Sequence, residues 1–141
     1  MSASILAGLT KSIDSDIQKL ESSMTPALTG AVPLGFFTVK ASEVLPIVAK
    51  AKTAKNLIPP PGTSGLVKRI QFAIIEDKLQ EFSTDNFPFL EAKLQIYLNP
   101  LTEAVAKAEA LSSIVAKIPG IVADFVILKN EMRKVKKALR V

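Results

Sequence analysis

The residue types that carry out most protein chemistry are missing. Among 141 residues there is no His, no Cys and no Trp. Zinc-finger sites, Ser-His-Asp triads, thiol nucleophiles and imidazole bases are therefore excluded. What remains is poorly spaced. Glu76 and Asp77 are adjacent, and a helix points neighbours about 100° apart, so they do not converge on one proton. Glu103 and Glu109 miss the three- or four-residue spacing that makes helix neighbours meet. Ser113 and Lys117 do stand at i,i+4, but that pairing is common on helices and usually inert. No Walker A motif, Gly-x-Gly-x-x-Gly or Ser-x-x-Lys occurs. The sequence predicts no enzyme, no metal, no cofactor and no small-molecule substrate.

Gly62-Thr63-Ser64-Gly65, followed by Lys68 and Arg69, superficially resembles the Gly-x-x-Gly loop with which KH domains clamp a nucleic-acid backbone. That family needs strands, and a triple-proline run precedes the loop here, so membership is rejected. What survives is a helix start, capped by Thr63 or Ser64, whose free N–H groups lie beside two bases.

The net charge of +5 is unevenly placed. Residues 1–39 are slightly acidic and 70–128 more so; 40–69 and 129–141 are strongly basic. Candidate anion contacts are Lys50, Lys52, Lys55, Lys68 and Arg69 in the first basic zone. In the second they are Arg133, Lys134, Lys136, Lys137 and Arg140, next to Lys129. Such zones suit phosphate, anionic lipid or the acidic zone of another copy. Bases also gather at helix C-termini simply because the macrodipole favours them there. Neither zone has an aromatic residue to stack a base, so any nucleic-acid contact is expected to be backbone-directed and nonspecific.

These residues must be positioned by helices. Residues 3–24 place Leu6, Leu9, Ile13, Ile17, Leu20 and Met24 at helical steps. Pro26, Gly30, Pro33 and Gly35 should then break the chain. Residues 36–40 fit either a strand or a packed loop. A second helix is expected from Ser42 to Lys55, with Pro46 as an alternative first turn. Residues 58–65, which include Pro59-Pro60-Pro61, read as a stiff spacer. It divides an N-terminal helical arm (1–57) from a C-terminal bundle (66–141). In the bundle, a helix over 66–82 is apolar on several sides, 83–86 is a turn, and Pro88 opens a short helix over 87–98. Asn99-Pro100 should cap a last long helix, with a kink or break near 116–120 caused by Pro119.

The strongest regularity is a heptad. Leu90, Tyr97, Ala104, Leu111, Ile118, Phe125, Met132 and Leu139 recur every seventh position, and all are apolar. From 111 to 139 the companions Ile114, Ile121, Leu128 and Val135 complete an unbroken alternation of steps of three and four. That is the seam of a bundle or coiled coil, and it is the candidate self-association surface.

Apolar content is high for so small a chain, at 48% with a mean hydropathy of +0.31. Subunit contacts or membrane contact would explain it. Met1–Thr10 does not read as a secretory signal, and Leu111–Leu128, the nearest to a spanning segment, carries Lys117 and Asp124. The fold expected is all-α, with four to six helices. The function expected is a structural subunit that self-associates in a larger assembly of virion, tail or filament type. Coat proteins of filamentous viruses are similar as a class, being small and helical with basic arms, although no motif matches. Two other readings are a membrane-associated amphipathic helical protein, and a nonspecific nucleic-acid packager.

Overall fold

A computed structural model describes residues 2–28, 41–58 and 63–140, of which 2–3, 27–28 and 63–67 are described by their backbone alone. It is an all-α bundle with no strand among the described residues. The helices are α1 (Ser2–Leu28), α2 (Leu45–Leu57), α3 (Thr63–Glu81), α4 (Phe87–Leu98) and α5 (Ala104–Leu139). A 3₁₀ turn, Ala41–Glu43, leads into α2, and a π turn, Phe82–Asn86, joins α3 to α4. Residues 36–40 lie outside the described residues.

α1 buries Leu6, Thr10, Ile13, Ile17, Leu20 and Met24, a row of strictly alternating steps of four and three. Thr10 occupies the place expected of Leu9, which is only half-buried. Its hydroxyl donates to the Leu6 carbonyl at 2.7 Å, so this polar side chain enters the core with its hydrogen bond made. α1 also runs past the expected stop: Pro26 lies within its last turn. α2 begins at Leu45 rather than Ser42. Val44 precedes it and Pro46 sits in its first turn, where a missing N–H costs nothing.

Of the expected spacer, residues 59–62 lie outside the described residues, and Thr63–Gly65 already belong to α3. The turn expected at 83–86 is a π turn in which the Phe87 N–H donates to the Phe82 carbonyl. Widening the helix by one residue accommodates Pro88, which has no N–H and would clash in a regular turn. Phe82 stacks on Phe87 at 5.0 Å, with the rings 3° from parallel. It also meets Phe125 of α5 at 4.9 Å. All three rings are buried and clasp α3, α4 and α5 together.

Asn99-Pro100 does not start the last helix. The Asn99 side-chain oxygen accepts the Leu101 N–H at 2.9 Å, and its carbonyl accepts the Thr102 N–H at 3.1 Å. This local turn satisfies the chain before helical geometry begins at Ala104. The five intervening residues reset the helical phase. The heptad therefore does not carry across: Ala104, Leu101 and Ala108 are exposed, whereas Leu90 and Leu94 are buried.

Of the kink or break expected near 116–120, the break is not found: α5 is one helix across Pro119. Because Pro119 has no N–H, the Val115 carbonyl receives no bond from it. Both residues are exposed, so water can reach that oxygen, while burial of Ile114, Ile121 and Phe125 holds the opposite face.

α5 packs on α1, α3 and α4, and α2 packs on α1 and α3. Helices α1 and α2, read above as an arm, contribute to the same buried cluster as α3–α5. One local weakness is testable. Gly8 lies inside α1, and a methyl group added there would meet nothing within 4 Å. Gly8→Ala should stabilise the fold by about 1 kcal/mol, raising the urea midpoint. A lower midpoint would show that α1 is not helical at that position.

Candidate interaction surface

The nine residues of the predicted seam divide cleanly. Ile114, Ile121, Phe125, Leu128, Met132 and Val135 are buried, and Leu111, Ile118 and Leu139 are half-buried. Their apolar surface is used largely inside the chain, where α5 lies on its neighbours.

The charged zones also close on themselves. All three acids of α1 reach a base on another helix. Asp16 meets Lys50 at 2.6 Å, Glu21 meets Lys129 at 3.0 Å and Asp14 meets Lys136 at 2.9 Å. Lys50 also donates to Ser12, and Lys55 pairs with Glu76 of α3 at 2.8 Å. Of the candidate anion contacts, Lys50, Lys55 and Lys136 thus already hold carboxylates. Lys134 pairs with Glu131, and Arg133 donates to Asn130. Lys52, Lys68, Arg69, Lys137 and Arg140 have no carboxylate partner among the described residues. Arg140 caps α5 in the left-handed conformation, φ 56°.

Among the described residues no convergent chemical site emerges. A shallow recess of about 380 Å³ between α1 and α2 is lined by Asp16 and Lys50, which neutralise each other, and by Leu20 and Ile47. Among the described residues no cluster of carboxylates is placed to hold a metal ion.

What stands out is the other side of α5. Val105, Ala108, Ser112, Val115, Pro119, Val122 and Val126 are all exposed, again at alternating steps of three and four. Ala116, Gly120 and Ala123 widen the strip and are exposed too. From Ala110 to Leu128 none of the exposed residues is charged. The two charges in that span turn towards the protein. Lys117 lies over the Phe89 ring of α4, 5.2 Å from its centre, and Lys93 approaches the same ring at 5.5 Å. Asp124 faces Lys78 of α3 at 3.6 Å and accepts from Asn86 at 3.4 Å. Between Ala110 and Leu128 the helix therefore lacks the charged outer face that an ordinary surface helix keeps. The strip continues to the α4–α5 turn, where Leu98 is 52% and Leu101 89% exposed. Sequence reasoning missed this strip, although it is the heptad seam shifted by one residue.

The Asp124 cluster has a pH signature. Desolvation alone would lower the pKa of Lys78. Attraction to Asp124 and then Glu81, with hydrogen bonds to both, outweighs it and raises the pKa above the usual 10.5. A raised pKa in the folded state means the contribution is complete below the unfolded value and disappears as pH climbs through the folded one. Lys78→Met should therefore flatten the alkaline end of the pH–stability curve, above about pH 10. An alkaline limb identical to that of the parent protein would show that this cluster contributes nothing.

Comparison with protein families, with curated proteins and with solved structures returned no match to this chain.

Proposed function

We propose that this chain is a non-enzymatic structural subunit that self-associates through the outward strip of α5, as one component of a larger assembly. The observation that supports it is the uncharged exposed face from Ser112 to Val126, on a helix whose own charges Lys117 and Asp124 turn inward. A soluble monomer has no use for an apolar face at regular coiled-coil spacing, and contiguous patches of this kind mark contact sites. Light scattering over rising protein concentration tests the proposal. The mean mass should climb above the 15.1 kDa of one chain; a mass fixed at one chain at every concentration sinks it.

A second reading, association with a membrane, has its own supporting observation. The most apolar 18-residue window of α5 has a mean hydropathy of 1.9, and only 22% of it is buried. Lys137 and Arg140, which have no carboxylate partner among the described residues, would then lie at anionic headgroups. Flotation with anionic vesicles separates the two readings, because protein that stays at the bottom of the gradient excludes the second.

A further inference from the structure

We infer that the occupant of the α5 strip is the same strip of a second copy, running antiparallel about a two-fold axis near Ala116. The inference rests on the self-association proposed above and adds its partner and direction.

Charge decides the direction. Beyond Val126 the same face continues as Lys129 and Arg133, with Lys134, Lys137 and Arg140 beside it, all exposed. With Lys129 held by Glu21 and Lys134 by Glu131, the excess positive charge comes from Arg133, Lys137 and Arg140. Before Ala110 the exposed charges are the acids Glu103 and Glu109, with Lys107 half-buried. A parallel pair would press two basic ends together within about one Debye length, roughly 8 Å at physiological salt. An antiparallel pair sets those ends tens of ångströms apart, since the strip from Val105 to Val126 spans about 30 Å. It also lays each basic end beside Glu103 of the partner and opposes the two helix dipoles favourably.

Steric fit agrees with that direction. With alternating steps of three and four, antiparallel strips place Val105, Ala108 and Ser112 of one copy against Val126 and Val122 of the other. Val115 and Pro119 then meet near the axis. Small residues at Ala108, Ser112, Ala116 and Gly120 allow close approach of the two helices. Such a contact is isologous, the same patch on both copies, and it closes at two.

The chain has no Cys, so introduced thiols are the only ones present. Ala116→Cys, Val105→Cys and Val126→Cys change exposed positions, and each is checked for unchanged helix content by circular dichroism. Each is then treated with a short bismaleimide, alone and in mixtures, alongside light scattering of the parent protein. Ala116→Cys should link to itself. Val105→Cys and Val126→Cys should each remain single alone but link when mixed. Self-linking of Val105→Cys or Val126→Cys would establish a parallel pair and overturn the inference. A dimer by scattering with no linking in any mixture would place the contact elsewhere and overturn it too. A parent protein that never exceeds one chain in mass removes self-association itself, whether or not it floats with anionic vesicles.

Discussion

Val122→Glu should turn the self-associated protein into a monomer without altering its helix content. Val122 is 41% exposed on the outward face of α5, and glutamate forms helix better than valine. In the isolated chain the change is therefore close to neutral, as surface substitutions generally are. In an assembly that covers this face the added carboxylate must leave water with no base opposite it. That costs about 2 kcal/mol or more for a buried unpaired polar group. A two-fold contact carries the substitution twice, so the total approaches about 4 kcal/mol, which is roughly a thousandfold in affinity. Sedimentation velocity across a concentration series reads the effect directly. If Val122→Glu associates as tightly as the parent protein, the strip is not the contact surface.

Phe82→Ala should be among the most costly truncations of the fold. Its ring is fully buried, stacked on Phe87 and tilted against Phe125. It therefore joins the π turn, the start of α4 and the middle of α5. Truncating a buried Phe removes transfer energy and leaves a cavity, typically about 3–5 kcal/mol in all. Whole domains have only about 5–15 kcal/mol of stability. Urea denaturation followed by circular dichroism should show a large fall in midpoint. The matching change at half-buried Phe89, whose ring lies between Lys93 and Lys117, should cost clearly less. Equal losses at both positions would mean that the three-ring cluster does not tie the π turn, α4 and α5 together.

Much of the fold was legible because helical periodicity records which face is buried. The α1 row was read almost residue for residue, and α4 was bounded correctly by Pro88 and Asn99. The errors fall where a local signal has two uses. Asn99 before Pro100 is a strong cap signal, yet the Asn side chain accepts the Leu101 N–H and makes a turn instead. Pro119 is expected to kink or break α5, and no break occurs. It lies on the exposed side, where its missing bond is least costly, while the opposite face is anchored by Ile114, Ile121 and Phe125.

The surface was much less legible. Basic and acidic zones far apart in sequence can meet within one chain or between copies, and composition does not distinguish these. The pair Asp14–Lys136 joins residues 122 positions apart, a closure visible only in three dimensions. The heptad of α5 likewise marked one apolar face, which proved to be the core. A second apolar series lay one residue further round, at Val115, Pro119, Val122 and Val126. Which of two such faces turns inward depends on where Lys117 and Asp124 find partners, and those partners sit on α3 and α4.

Pro119 also limits what can lie against α5. The Val115 oxygen, which Pro119 cannot serve with a helical N–H, belongs to a residue in the middle of the uncharged face and is open to a hydrogen-bond donor from outside the chain. Hydrocarbon offers none, and an orphaned carbonyl in a lipid interior costs several kcal/mol. The Ser112 hydroxyl of a neighbouring molecule, or a trapped water, can supply it at little entropic cost. The centre of this seam should therefore be damp rather than greasy, a small wet spot midway along an otherwise oily contact.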